Sequence, residues 1–104
     1  MHSFYYAPAG AFLRGRVLAL EPHDDGLHAS TTTVATVHVA DSYGLEGCDA
    51  GQRIEFDCTF CWPVPSQASV VNHDVAFWIG WARSKRTGKP FAQTRWAVAR
   101  DGAA

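Results

Sequence analysis

The feature that most constrains this chain is a run rich in β-branched residues, TTTVATVHVA, at positions 31–40. Branching at Cβ restricts side-chain rotamers in a helix and favours the extended backbone of a strand. Residues 52–58 then alternate strictly, with Ile54, Phe56 and Cys58 on one face and charged side chains on the other. A period of two is typical of a strand with one buried face. Both segments therefore predict β-structure.

Three further segments have the length of strands and are separated by glycine, proline and polar turns: residues 12–20, 74–82 and 91–100. No window of twelve residues combines a 3.6-residue apolar period with caps, and the best helical candidate is a single turn at 66–71. A chain of 104 residues has room for one hydrophobic core. We therefore predict a single all-β domain over 1–104, a small five-stranded barrel with at most one short helical turn.

Four motifs follow one another along the chain: RGRV at 14–17, VADSYG at 39–44, AGQRIEF at 50–56 and HDVAFWIG at 73–80. Their order resembles an OB-fold, and in particular the netrin-like and tissue-inhibitor-of-metalloproteinase domains. The resemblance covers residues 14–82 and implies an OB-type barrel. Independently of it, a glycine inside the first strand, Gly15, is expected where that strand bends around a corner. The N-terminal cysteine and secretory signal of those inhibitors are missing, so protease inhibition is not implied.

The strongest local charge signal is the segment RSKRTGK at 83–89, in a chain whose net charge is only −1. Its cations are Arg83, Lys85, Arg86 and Lys89. In an OB-fold this segment is the loop between strands four and five, which commonly contacts oligonucleotides. Cations for phosphates and ring faces for bases are what single-stranded nucleic acid requires. We therefore expect a non-catalytic module that binds single strands, with a solvated hairpin tip as the alternative.

Two tryptophans are candidates for stacking with bases. Trp78 alternates with small residues on the face of its strand opposite Phe77, and Trp96 lies on the fifth strand. We predict that the two indoles form a joint platform, the alternative being that one packs under a loop and the other in the core. On the opposite face of its strand, Trp81 is expected to be a core residue. The arginines that would extend the positive surface are Arg14, Arg16, Arg95 and Arg100.

The N-terminal segment supports an alternative function. Phe4, Tyr5 and Tyr6 make it unusually aromatic, as in a segment that contacts another protein or a second copy of the chain. No apolar stretch is long enough to span a bilayer, and residues 1–20 do not resemble a signal peptide. We therefore expect a cytoplasmic protein with no membrane partner. No catalytic or cofactor-binding motif is found, so neither an enzymatic activity nor a cofactor is predicted.

The three cysteines leave several alternatives. Cys58 and Cys61 form a C-x-x-C motif, with Cys48 upstream and His73 downstream. Ordinary buried thiols are the favoured interpretation, ahead of a disulfide with Cys48, a structural zinc site or redox chemistry. A second group with metal-ligating chemistry is His23, Asp24, Asp25 and His28, which we interpret as a polar loop rather than a metal site.

Overall fold

The computed structural model describes residues 1–23 and 32–99. Five strands form one antiparallel sheet in the order β3-β2-β1-β4-β5. The strands are β1 (Phe12–His23), β2 (Thr32–Tyr43), β3 (Arg53–Asp57), β4 (Asp74–Arg83) and β5 (Pro90–Val98), and one helical turn, α1 (Gln67–Val70), lies between β3 and β4. The prediction of five strands and one short helical turn is confirmed. No helix in the described ranges is long and apolar enough to cross a membrane.

The two edge strands, β3 and β5, each receive one further segment of chain. His2 makes a parallel bridge to Phe56 on the outer edge of β3, and Cys61 makes a parallel bridge to Thr94 on β5. The second segment follows β3 directly, so the chain passes from one edge of the sheet to the other. A single bridge is not a strand ladder, and the closed barrel expected from the sequence is not established by these pairings.

β1 extends beyond the proline that was expected to end it. Pro22 lies opposite Thr33 in the ladder with β2, and the strand continues to His23. The pairing of β1 with β4 ends at Arg16, so in the described chain β2 is the only partner strand that β1 has around Pro22. Proline is tolerated at such an edge because its missing N–H removes no ladder hydrogen bond there. β2 likewise continues past Ala40 to Tyr43, because β1 pairs with it as far as Phe12.

The core lies on one face of the sheet and is centred on Phe56. This ring is fully buried and lies 5.1 Å from the ring centroids of both Phe4 and Phe77. The predicted alternation in β3 is confirmed, since Ile54 and Phe56 are buried and their neighbours point outwards. The remaining core residues are Ala11, Leu13, Val17, Leu20, Ala35, Val37, Val39, Cys48, Cys58, Cys61, Val70 and Val75.

Gly15 lies where the first strand changes register with β2. A Cβ atom at this position would stand 2.3 Å from the backbone oxygen of His38 and 2.9 Å from a methyl group of Val37. Only a residue without a side chain allows the two backbones to approach so closely. The register shift leaves Ala40 without a partner, which is the pattern of a β-bulge.

Candidate nucleic-acid interface

The far end of β4 and the beginning of β5 project beyond the rest of the sheet. β1 pairs with β4 only as far as Trp78, so the remaining residues of β4 have β5 as their sole partner strand in the described chain. We call residues 79–94 the hairpin; it runs from Ile79 to Thr94, which are paired with each other. Four of the predicted binding residues, those of the basic loop, lie at its tip.

Backbone hydrogen bonds hold the loop at the tip of the hairpin in one shape. The amide of Ser84 donates to the carbonyl of Lys89 at 2.9 Å, and the amide of Gly88 donates to the carbonyl of Ser84 at 2.8 Å. Gly88 has a φ of 70°, which glycine adopts without steric cost. The Arg83 guanidinium spans the loop to the carbonyl of Gly88 at 2.8 Å. The turn therefore presents Lys85 and Arg86 outwards at its tip.

Charge is strongly segregated along the chain. Residues 75–99 contain five of the nine basic residues and none of the ten acidic ones. Within the described ranges, the ion pairs involve only Arg14 and Arg16, so none of the four loop cations is paired with a carboxylate. The near-zero net charge of the whole chain is therefore the sum of a positively charged hairpin and a negatively charged rest of the chain.

Two aromatic rings that the sequence analysis did not assign to the site flank the basic loop. Trp81 was expected in the core, but 69 % of its surface is exposed, and it lies in the part of β4 that pairs with β5 alone in the described chain. Phe91 is also exposed, on the opposite face of the hairpin, since it pairs with Ala82. Each face of the hairpin thus carries one exposed ring within two residues of a loop cation. The feature of the sequence that could have identified both rings as site residues is their position within two residues of a loop cation.

The predicted joint platform of Trp78 and Trp96 is wrong. Directly opposite residues of an antiparallel pair share a face, and Trp96 lies opposite Phe77, whereas Trp78 lies opposite Arg95. The two indoles are therefore on opposite faces of the sheet. Trp96 packs against the core and donates its indole N–H to the carbonyl of Pro63. Trp78 stays on the outer face, 39 % exposed.

On that outer face, Trp78 belongs to a row of side chains that crosses four strands. The register aligns Tyr43 of β2 with Phe12 of β1, Phe12 with Trp78, and Trp78 with Arg95 of β5. The aliphatic part of Arg95 lies over Gly80, where a Cβ atom would stand 2.6 Å from its Cγ. The outer face thus provides an aromatic surface that ends in a cation.

The two arginines of β1 do not extend the positive surface as predicted. Arg14 Nε lies 2.7 Å from a carboxylate oxygen of Asp41, and Arg16 Nε lies 3.5 Å from one of Asp74. Their charges are therefore balanced locally by neighbouring strands. The remaining candidate, Arg100, lies outside the described residues, as do the side chains of the polar loop with metal-ligating chemistry: His23, Asp24, Asp25 and His28.

A second surface feature is an apolar groove of about 500 Å³ between the hairpin and the N-terminal segment. Its lining includes Tyr5, Phe60, Ile79 and Thr94. The N-terminal segment is fixed to β3 by two hydrogen bonds of 2.8 Å that involve the backbone of His2. The backbone of this segment therefore pairs with the outer edge of β3 in its own sheet. Its aromatic residues divide accordingly, with Phe4 buried against Phe56 and Tyr5 and Tyr6 exposed.

All three cysteines are buried free thiols, as the favoured interpretation expected. The pKa of Cys61 is raised, first by a hydrogen bond with Cys58 and then by burial. Burial also raises the pKa of Cys48, with a smaller contribution from the charge of Asp49. No group of three or more His, Cys, Asp or Glu side chains suited to a metal ion occurs in the described part of the chain.

No protein-family model, curated protein or solved structure matches this chain. Its class is accordingly defined by its own architecture, a five-stranded antiparallel β-sheet domain with a projecting cationic hairpin.

Proposed function

We propose that this chain is a non-catalytic module that binds single-stranded nucleic acid through its hairpin. The observation that carries the proposal is the combination of unpaired cations and exposed rings on one projecting element. Lys85 and Arg86 lie at the tip without carboxylate partners in the described chain, and Trp81 is exposed on the strand that leads to the loop. Cations bind the phosphate backbone, and ring faces bind bases by stacking.

The exposed rings favour single strands over duplexes. In a duplex the bases are stacked on one another and present only their edges in the grooves. The flat faces of Trp81 and Phe91 gain contact area only with unstacked bases. The loop also contains no long side chain with a carboxylate or amide that would read base edges. Binding is therefore expected to depend weakly on sequence.

The architecture adds support from the fold. We infer an OB-type barrel, because the strand order, the helical turn between β3 and β4, and the bridge from Cys61 to Thr94 fit one. That bridge joins the chain leaving β3 to β5, the contact needed to complete a ring of strands. In OB-folds the loop between the fourth and fifth strands commonly contacts oligonucleotides, and here that loop is the basic one.

The test is a titration with a fluorescently labelled oligothymidine at several salt concentrations. Binding should weaken steeply between about 50 and about 200 mM salt, because phosphate contacts release counterions. A duplex of the same length should bind more weakly than the single strand. Absence of salt-sensitive binding to the single strand would remove the proposal.

A matched pair of variants locates the site. The double variant Lys85→Gln/Arg86→Gln removes two cations from the hairpin, and Arg14→Gln/Arg53→Gln removes two exposed cations elsewhere. The first should reduce the slope of log affinity against log salt by about 1.4, since each phosphate contact contributes about 0.7 on single strands. The second should leave the slope unchanged. Equal effects of both variants would place binding outside the hairpin.

A second candidate function is contact with another protein, favoured by the apolar groove and by the exposed tyrosines beside it. Tyr5 and Phe60 leave large ring surfaces exposed to water next to this groove. If the chain self-associates through this surface, light scattering should report a mass that rises with concentration in the wild type. Tyr5→Ser/Phe60→Ser should then remain monomeric. A wild-type monomer at every concentration would exclude self-association.

A further inference from the structure

The C-x-x-C motif forms a tight turn at the end of β3. The amide of Cys61 donates to the carbonyl of Cys58 at 3.1 Å, which closes a turn of four residues. Thr59 fixes the turn from within, since its amide donates to a carboxylate oxygen of Asp57 at 2.8 Å and its hydroxyl accepts from the amide of Thr33 at 3.1 Å. The first and last Cα atoms of such a turn lie within about 7 Å of each other. Disulfide-bonded cysteines have Cα separations of about 4.4–6.8 Å, which overlaps this range.

Both thiols of the turn enter the same part of the core. Cys58 is 1 % exposed and Cys61 is 3 % exposed, both belong to the same hydrophobic core, and their backbones are joined by the hydrogen bond of the turn. Cys48 is equally buried, but the described residues place no third sulfur, carboxylate or imidazole with the pair in a metal-binding group. The arrangement is therefore a pair of buried thiols at the two ends of one tight turn, and the described residues do not complete it to a zinc site.

We propose that Cys58 and Cys61 are a dithiol pair that a low-molecular-weight disulfide such as oxidised glutathione converts to an intramolecular disulfide. The thiolate of one cysteine attacks a sulfur of oxidised glutathione, breaks its S–S bond and releases one glutathione thiolate. The second cysteine, after losing its proton, attacks the resulting mixed disulfide and releases the second glutathione. The protein loses two protons and two electrons, and both electrons reside in the two reduced glutathione molecules.

The position of the pair gives the disulfide a structural consequence. The segment that follows Cys58 lies against β5. There the amide of Trp62 donates to the carbonyl of Thr94 at 2.8 Å, and the amide of Thr94 donates to the carbonyl of Phe60 at 3.2 Å. A disulfide bond between Cys58 and Cys61 would fix the turn that positions this segment against β5. Oxidation is therefore expected to slow the opening of the bridge between the two edges of the sheet.

The test is oxidation of the folded full chain with oxidised glutathione, followed by mass spectrometry. The intact protein should become lighter by the mass of two hydrogen atoms, and a digest should contain a peptide that joins Cys58 to Cys61. Because both thiols are buried, this reaction should be slower than that of a glutathione thiol in solution. The variant Cys48→Ser should behave as the wild type, and Cys58→Ser should not form an internal disulfide.

A second measurement does not depend on the folding of the serine variants. Amide hydrogen exchange in the wild type should be slower at Trp62 and Thr94 after oxidation than before it. The proposal is overturned if the folded protein stays fully reduced, if it accumulates only a stable glutathione adduct, or if the internal disulfide contains Cys48.

Discussion

One strand of this protein lies in two different environments. We call β1, β2, β3 and residues 74–78 of β4 the body; within it β4 has a partner strand on both sides, whereas in the hairpin it pairs with β5 alone. Phe77 and Trp81 point to the same face of β4, yet Phe77 is buried and Trp81 is exposed. The same alternation of side chains along β4 thus gives a buried core residue in one half of the strand and an exposed residue in the other. What decides between them is where the neighbouring strand begins.

The largest contrast is expected from removing one ring in each region. Phe56→Ala should lower the free energy of unfolding by about 3–5 kcal/mol, because it deletes a fully buried ring that packs on two others. Trp81→Ala removes a larger ring from the hairpin but should change stability by about 0.5 kcal/mol or less, because that ring is mostly in water. Urea unfolding followed by circular dichroism measures both. A large loss from Trp81→Ala would show that its ring contributes to the core.

A second contrast uses the two glycines that lie within β1 and β4. Gly15→Ala should lower the free energy of unfolding by about 1–3 kcal/mol, because the new Cβ would meet a backbone oxygen at 2.3 Å. Gly80→Ala meets only the Cγ of Arg95, a flexible side chain at the edge of the hairpin, and should stay within about 0.5 kcal/mol of the wild type. The same unfolding assay compares them. Similar losses at both glycines would mean that the hairpin is as tightly constrained as the body.

Local patterns were sufficient to predict the strands of the body. The β-branched run predicted β2, the alternation predicted β3, and the polar segment RSKRTGK predicted the loop of the hairpin. The exposure of Trp81 was not predictable in this way. It depends on the register between β1 and β4, a pairing between residues that are 58–66 positions apart. A period of two identifies the face of a strand but not whether another element covers it.

The position of Trp96 was missed for a related reason. The joint platform required Trp78 and Trp96 to share one face of the sheet, which neither strand's own pattern determines. The register between β4 and β5 places Trp96 opposite Phe77, and a hydrogen bond to Pro63, 33 residues away, fixes its indole. The cations of the candidate site were therefore visible in the sequence, whereas the rings that accompany them required the pairing of strands.

A substitution in the hairpin that barely changes stability should still reduce the affinity for nucleic acid. Trp81→Ala is expected to weaken binding of oligothymidine by about 1–3 kcal/mol, the usual contribution of one stacked base. Trp62→Ala is the matched control, since it removes another exposed indole outside the hairpin and should leave affinity unchanged. Fluorescence anisotropy at constant salt measures both. Equal losses would show that stacking is not confined to the hairpin and extends to the segment that follows β3.

All three cysteines lie outside the hairpin and are buried in the core, so stability should respond to alkaline pH through the core thiols. The pKa of Cys61 is raised by its hydrogen bond with Cys58 and by burial, so the folded state holds the proton more tightly than the unfolded state does. The free energy of unfolding should therefore be constant below the ordinary thiol value of 9.0 and fall above it. Near pH 10 the loss is expected to be about 1 kcal/mol per thiol.

Urea unfolding under reducing conditions at pH 7 and pH 10 tests this dependence. Cys48→Ala should reduce the alkaline loss, because the pKa of that thiol is also raised in the folded state. A stability that rose above pH 9 would contradict the sign of both shifts.

The smallest change in stability is expected from breaking an exposed ion pair of the body, the pair between Arg14 and Asp41. Asp41→Asn breaks this pair. The side chain of Arg14 is 60 % exposed and that of Asp41 is 46 % exposed, so the free energy of unfolding should fall by only about 0.2–1 kcal/mol. The change also leaves Arg14 without its carboxylate on the outer face of the sheet. If oligonucleotides contact only the hairpin, the salt slope of binding should not move. A steeper slope in Asp41→Asn would instead show that nucleic acid reaches across the outer face, where Phe12, Trp78 and Arg95 lie in one row.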